Sequence, residues 1–296
     1  MNNKGSILVV VLIFTAILAA GAVSLLGKVA LNLDRSEQLL EFNQAGFYIH
    51  SAIASIESII NNDNNGYDSD EDIWANLPPI SIKDGLISIQ VMPANAKINI
   101  NNISSSDAAT AKRVADAVEK LTNENDIEDA LKHIKGWIDK KQSYDENYYQ
   151  NRIPPYKPAK KPFYSLKEID YVNGLSKFSE KFGSDFSVDG SKAININFAN
   201  KDVIEAYLPE IADEADSIIK YRKKKPFKNI TQLRNVSGIS DKQYLEVQPY
   251  ISTSSSFFIV KIVVIIKKKE YNATALIERE PQTKVVKYFE GKSNYE

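Results

Sequence analysis

An uninterrupted apolar segment near the start of the chain limits what this protein can be. Residues 7–26 carry no charged side chain, and only Thr15, Gly21 and Ser24 interrupt their apolar character. A helix rises about 1.5 Å per residue, so about 20 residues of this kind span the roughly 30 Å hydrocarbon core of a bilayer. The sequence therefore predicts one long helix whose first half is apolar enough to cross a membrane.

Three processing routes fit this segment. Residues 20–22, Ala-Gly-Ala, resemble the cleavage site of a secretory signal, although the apolar character continues past them. The length also permits an uncleaved signal anchor. Lys4-Gly5-Ser6 resembles the end of a type IV pilin-like leader, residues 1–5, which a prepilin peptidase cuts after the glycine. Cleavage there leaves Ser6 as the new amino terminus.

The fifth position after that cleavage site departs from the usual pilin pattern. Most pilin-like subunits have a glutamate there, whereas this chain has Val10. A carboxylate inside a membrane is costly unless it meets a partner, which in pilins is the terminal amine of a neighbouring subunit. The K-type minor pseudopilins of type II secretion typically lack this glutamate. Among pilin-like proteins, Val10 therefore favours a resemblance to the K-type minor pseudopilins.

Composition sets bounds on the rest of the chain. The protein has 296 residues, 43% of them hydrophobic, enough to bury a core and to form one or two domains outside the membrane. A net charge of −1 argues against an extended nucleic-acid surface. The absence of cysteine excludes disulfides and thiolate metal sites, and two histidines, His50 and His133, are too few for a histidine-based centre. No catalytic motif stands in a convincing context, so we expect no enzyme.

A helical pattern continues beyond the apolar segment, over residues 27–62. Apolar side chains recur there at helical spacing, which predicts one face packed on a core. The stripe consists of Phe42, Ala45, Ile49, Ile53, Ile56 and Ile60. A polar, acidic stretch from Asn61 to Asp72 then breaks the helix. Its acids could bind calcium, but they match no calcium-loop pattern and favour a solvated loop.

Apolar runs of strand length lie on both sides of a long helical stretch. Residues 80–102 and 252–280 are predicted to form one sheet, in which the run 257–266, apolar on both faces except for Lys261, is central. Residues 103–251 read as mostly helical and are predicted to be inserted between the strands. The polar tail, 281–296, is expected to be loosely ordered.

A set of motifs in the predicted insertion resembles the signature of the general secretion pathway protein K family. Its parts, in order, are Gly136-Trp137-Ile138-Asp139, Tyr148-Tyr149, Pro154-Pro155-Tyr156 and Ser165-Leu166-Lys167-Glu168. Their order and spacing match over about thirty residues. The resemblance implies an α+β fold, in which a pilin-like long N-terminal helix packs on a small antiparallel sheet and a large, mostly helical domain is inserted between strands.

The same resemblance implies a function. Members of the family are minor pseudopilins near the tip of the type II secretion pseudopilus, with a structural role in protein export across the outer membrane. The implied partners are the I-type and J-type minor pseudopilins, the major pseudopilin, the inner-membrane secretion platform and the prepilin peptidase. The implied location is a single pass in the inner membrane, with a methylated amino terminus after processing and most of the chain in the periplasm.

An acidic loop after Trp137 can hold calcium in that family. By position, the resemblance carries over Asp139, Asp145 and Glu146 as candidate calcium ligands. The loop looks shortened, however, and lysines, Lys140 and Lys141, stand where family members tend to be acidic. Because calcium needs six to eight oxygen ligands, calcium binding stays open at this point.

The second half of the insertion resembles a helix-hairpin-helix module, which supplies an alternative function. Such modules hold a DNA phosphate with hairpin backbone amides, here at Val236 to Ser240, and the lysines at 223–225 could add charge. The alternative is a membrane-anchored DNA-binding protein of the competence type. Ser240 replaces the second hairpin glycine, and acids crowd the neighbouring helices, so a nucleic-acid partner is not expected.

Overall fold

One long helix dominates the architecture. The computed structural model describes residues 3–123, 129–176, 179–280 and 282–291. Helix α1, Asn3–Asn61, begins within the predicted leader and runs for 59 residues without a break. Its side chains from 7 to 40 are all exposed, and burial of one face begins at Glu41. The helix therefore has a free half and a packed half.

The remaining elements follow in chain order. The strands are β1 (Ile80–Ile82), β2 (Gly85–Pro93), β3 (Ile98–Asn99), β4 (Phe186–Ser187), β5 (Ile194–Asn195), β6 (Ile251–Ser252), β7 (Phe257–Ile266), β8 (Lys269–Glu278) and β9 (Lys284–Glu290). The helices after α1 are α2 (Ala108–Asn123), α3 (Ala130–Ile138), α4 (Glu146–Gln150), α5 (Ser179–Asp185), α6 (Lys201–Tyr207), α7 (Ala215–Arg222) and α8 (Asp241–Val247). Short 3-10 helices connect many of them.

Five strands form one antiparallel sheet in the order β1-β2-β7-β8-β9. β7 is the middle strand of this order, as its apolar run, interrupted only by Lys261, predicts, and both of its faces are used for packing. One face, which includes Phe258, Val260 and Ile262, packs on the second half of α1. The opposite face contributes Ile259 to the core of the inserted domain. These features confirm the predicted α+β fold class.

The packed half of α1 follows the predicted stripe closely. Ala45, Ile49, Ile53, Ile56 and Ile60 are all buried against the sheet. Full burial of a side chain of this size contributes about 2 kcal/mol, so this seam is a large part of what holds helix and sheet together. Phe42 departs from the prediction and is 53% exposed, since it lies one turn before the seam closes.

The inserted domain begins earlier than the sequence analysis expects. The chain leaves the sheet after Pro93, and it returns at Phe257. Ile98 to Asn101, predicted as part of the pilin-like sheet, instead contributes the short strand β3, which pairs in parallel with β4. The reason is local: Asn99 accepts a hydrogen bond from the Asn101 backbone N–H and turns the chain into a 3-10 helix.

The expectation of a loosely ordered tail is wrong for residues 284–290. These residues form β9, the outer strand of the sheet, paired with β8. A register shift opposite Leu276 and Ile277 leaves Val286 as an extra residue in β9. As a result Val285 and Tyr288 pack on the same core although they are three residues apart. The bulge breaks the period-two alternation by which a strand is recognised in sequence.

β9 also fastens the inserted domain to the sheet. The Lys287 ammonium lies 2.7 and 2.9 Å from the two carboxylate oxygens of Asp189, and it donates to the Tyr164 carbonyl at 3.1 Å. The rings of Tyr164 and Phe289 are in edge contact, 5.9 Å between centroids. The Lys287 and Asp189 side chains are 14% and 15% exposed, so solvent screens this ion pair only weakly.

We expect Lys287→Met to lower the free energy of unfolding of the full chain by about 3 kcal/mol, because it removes the cation that faces a mostly buried carboxylate. Urea unfolding in detergent micelles, followed by tryptophan fluorescence, measures the change. Lys284→Met on the same strand is the matched control, since the Lys284 side chain, paired with Glu278, is 56% exposed. Equal effects of the two substitutions would contradict the proposed role of β9.

Candidate functional site

The first half of α1 is the candidate membrane anchor. Among the described residues, α1 is the one helix long and apolar enough to cross a membrane, and none of the side chains in its apolar window is buried. Gly5 and Ser6, the predicted cleavage pair, lie within the helical backbone of α1. Val10 lies one turn further along, and its side chain is 50% exposed. One apolar helix of this kind fits a single-pass anchor.

The point where α1 meets the sheet is fixed by a group of ion pairs. Glu41 is nearly buried and accepts from Lys269 at 2.6 Å and from Lys267 at 3.3 Å, while Lys267 also contacts Glu37. The hydrogen bond from Lys269 lowers the pKa of the Glu41 carboxyl below its ordinary value of 4.5. A carboxylate with a lowered pKa adds stability at neutral pH, and this contribution disappears as the pH falls through that pKa.

An apolar groove lies beside these ion pairs. It has a volume of about 680 Å³ and runs between α1 and the strands β8 and β9. Phe42, Phe47 and Ile49 line its helix side, and Tyr271 lines its sheet side. Phe47 is 68% exposed, which is unusual for an aromatic residue on a packed helix. The groove continues the exposed apolar surface of the first half of α1.

The Gly-Trp-Ile-Asp motif is the corner of an aromatic core. Trp137 packs edge-on against Tyr149 and Tyr156, with ring centroids 5.4 and 6.2 Å away, and its indole N–H points at Glu168 at 3.3 Å. A Cβ at Gly136 would lie 2.6 Å from the Cβ of Tyr144, so glycine is required for close packing. Burial raises the pKa of the Tyr149 hydroxyl to about 12. The motif therefore builds the core of the inserted domain.

The three candidate calcium ligands do not form a ligand set. Asp145 already accepts from the Asn173 amide at 3.0 Å and contacts His133 with its other oxygen. Asp139 accepts from the Lys141 backbone N–H at 2.8 Å, and Glu146 is exposed. Asp139 and Asp145 are engaged by different partners, and among the described residues the groups of three converging ligand atoms do not include Asp139, Asp145 or Glu146. The residues present therefore do not fit a calcium site at this loop.

A different group of acids is brought together in the loop after α1. Of the residues that the structure describes, only Asp63, Asp68 and Asp72 bring three such ligand atoms within 4.8 Å of one another. The Arg279 guanidinium already lies among them, 2.7 Å from Asp68 Oδ1 and 3.3 Å from Asp63 Oδ2. Burial raises the pKa of the Asp68 carboxyl. This part of the expected solvated loop is thus a folded contact with the end of β8.

The helix-hairpin-helix half presents carboxylates where a DNA phosphate would have to bind. A methyl group added at Gly238 would lie 3.0 Å from Cγ and 3.3 Å from Oε1 of Glu214. The Ser240 backbone N–H, which a phosphate would need, donates to the Gln243 side chain at 2.9 Å. Nearby, Glu210 is held by both guanidinium nitrogens of Arg113, at 2.6 and 2.9 Å. This geometry disfavours the DNA-binding alternative.

Two asparagines that the sequence analysis did not single out hold distant segments together. Asn101 donates to the carbonyls of Phe163 and Val188 and accepts from the Phe163 N–H. Asn197 donates to the carbonyls of Asp68 and Phe227 and accepts from the Phe227 N–H, at 2.8 to 2.9 Å. The signal for both was present as a repeat, since Ile-Asn-Ile-Asn occurs at 98–101 and again at 194–197.

Together, a membrane-length helix, an antiparallel sheet on its second half and a helical domain between the strands define a pilin-like fold with a large insertion. Comparison with known proteins makes this more specific. Residues 96–179 match the family model described as type II secretion system (T2SS), protein K. Residues 190–252 match the model of the helix-hairpin-helix motif.

One curated relative and one solved structure are also similar to this chain. The type II secretion system protein K of Aeromonas hydrophila is 25% identical over 201 residues, which cover 59% of this chain and 60% of that relative. The crystal structure of the GspK-GspI-GspJ complex from the enterotoxigenic Escherichia coli type 2 secretion system contains a chain of the same fold. The TM-score is 0.71 at 19% identity, and the match covers 88% of this chain and 100% of that one.

These findings confirm the resemblance to protein K of type II secretion systems. The family model covers the part of the insertion that carries the Gly-Trp-Ile-Asp and Pro-Pro-Tyr motifs. The match spans about 60% of the length of the curated relative, and the likeness to the solved structure establishes the fold.

We expect Asn197→Ala to lower the free energy of unfolding by about 3 kcal/mol, because it leaves one buried N–H and two carbonyls without their partner. Urea unfolding of the full chain in detergent measures it. Asn235→Ala, at an exposed position, should change stability by less than about 0.5 kcal/mol. If the Asn197→Ala variant were as stable as this control, the prediction would be contradicted, because water would have replaced the lost hydrogen bonds without loss of stability.

Proposed function

We propose that this protein is a minor pseudopilin of a type II secretion system, processed by a prepilin peptidase and anchored in the inner membrane, with its sheet and insertion in the periplasm. The single observation that carries the proposal is α1, one unbroken helix with an apolar exposed half and a half packed on a sheet. The role is structural and requires no catalytic step.

The proposed partners are I-type and J-type minor pseudopilins, the major pseudopilin and the inner-membrane platform. The exposed apolar half of α1 would pack on their helices in the assembly. The groove that Phe42 and Phe47 line extends this surface to the level of the sheet. Burial of exposed aromatic side chains is a strong contribution to subunit association.

A position at the tip of the pseudopilus follows from two features. The insertion, residues 94–256, lies between the strands of the sheet and is bulky enough to obstruct a subunit stacked above it. Val10 supplies no carboxylate for the terminal amine of such a neighbour. A subunit that ends the filament needs neither the space nor the carboxylate.

Processing at Gly5 is the first test of this function. In membranes that contain the cognate prepilin peptidase, we expect a mature chain that begins at Ser6, and a methylated amine there. Gly5→Leu should leave the chain uncut and abolish secretion. Gly21→Leu, in open space on the same helix, is the matched control and should be processed normally. Mass spectrometry of the amino-terminal peptide identifies the first residue of the mature chain. A start near Val23 or an intact Met1 would contradict the proposal.

The tip position has a separate test. The chain has no cysteine, so single introduced cysteines report neighbours without background. We expect crosslinks to other pseudopilins from only one side of this subunit. The Val10→Glu variant should give the same crosslinks, but less of the variant should be found in the assembly because its carboxylate has no partner. Val10→Gln is the uncharged control. Crosslinks to the major pseudopilin on both sides of the subunit would overturn the argument from bulk.

A further inference from the structure

The loop that follows Trp137 is closed by a side-chain cation from another part of the chain. The Lys160 ammonium donates to the Gly136 carbonyl at 2.9 Å and to the Gln142 carbonyl. Its backbone N–H donates to the Trp137 carbonyl at 2.7 Å. One residue therefore contacts both the start and the middle of the loop.

The backbone of Lys160 is held in a conformation that aims it at the loop. Its φ is +53°, in the left-handed region that non-glycine residues seldom adopt. Such a conformation persists when surrounding contacts over-determine it. The hydrogen bonds of the Lys160 ammonium with two carbonyls, and of its backbone N–H with a third, hold the backbone in this conformation.

Carbonyl oxygens that converge on one point form the kind of environment that binds a cation. A metal ion would use these oxygens together with nearby carboxylates. Here an ammonium satisfies the Gly136 and Gln142 carbonyls, and Asp145 is held by Asn173 and His133 instead. A second cation brought to the same carbonyls would meet the charge of Lys160.

We propose that Lys160 is a built-in cation that folds this loop in place of a bound metal, so that the loop of this protein is ordered without calcium. The ammonium joins Gly136 to Gln142, and the pairing of Asp145 with Asn173 and His133 holds the far end. The proposal concerns the loop alone and does not depend on the assignment to a pseudopilus.

Hydrogen exchange of the full chain in detergent micelles tests the first half of the proposal. Mass spectrometry of peptides that cover residues 136–150 reports this loop separately from the acidic group at Asp63. We expect these peptides to exchange at the same rates in calcium chloride and in EGTA, each at a concentration on the order of a few millimolar. Slower exchange of these peptides in calcium would overturn the proposal.

Substitutions test the second half. Lys160→Met keeps the length of the side chain and removes its charge, and we expect the loop amides to exchange about tenfold faster. Lys160→Arg keeps the charge and should restore most of the protection. Lys161→Met is the matched control at an exposed neighbouring position and should leave the rates unchanged. Equal rates in Lys160→Met and Lys161→Met would refute the role of the ammonium, and protection of Lys160→Met that exceeds that of Lys160→Arg would do the same.

Discussion

Helix α1 is a single hydrogen-bonded rod that faces two different surroundings. Between its two ends its backbone groups are satisfied within the helix, which is the condition for crossing a hydrocarbon layer. From Ala45 onward, however, its side chains are the core of a sheet domain. The orientation of the sheet relative to the anchor is therefore set by one seam, and the ion pairs of Glu41 with Lys267 and Lys269 lie at the point where that seam begins.

The insertion is attached to this scaffold mainly at its ends and along one outer strand. Both faces of β7 are used, one for α1 and one for the insertion, so the two cores share a strand. Directional polar contacts complete the attachment. Lys287 joins Asp189 of the insertion. Inside the insertion, the buried Asn95 amide donates to the carbonyls of Ala193 and Ser254 and so ties the start of the insertion to its end. Contacts of this kind fix an angle between domains more strictly than apolar packing alone.

Three features that suggest ligand binding in the sequence are satisfied from within the chain. The acids after α1 face Arg279, and the loop after Trp137 takes the ammonium of Lys160. The hairpin that resembles a phosphate site faces the carboxylate of Glu214. In the first two cases a cation of the chain itself lies against oxygen atoms that could bind a metal, and in the third a carboxylate stands close to the place of a phosphate. This pattern suits domains that keep their shape without a bound ligand.

The sequence by itself determined the elements that depend on local periodicity. The apolar segment, the helical stripe through Ile49 and Ile56, and the continuous run of β7 each leave a pattern that needs no knowledge of distant residues. The protein K motifs were also readable, because they combine residues with strict local requirements such as Gly136.

Only the tertiary structure decided the features that depend on partners far apart in the chain. β9 escaped recognition because a bulge hides its alternation, and β3 pairs with β4, which lies in a distant part of the chain. The candidate calcium ligands looked plausible by position, yet Asp145 is engaged by residues 12 and 28 positions away. A local sequence pattern shows which side chains are polar and which are apolar, but the fold decides which of them come into contact. The energy of a buried charge depends on the groups that it contacts, so its role follows only from the tertiary structure.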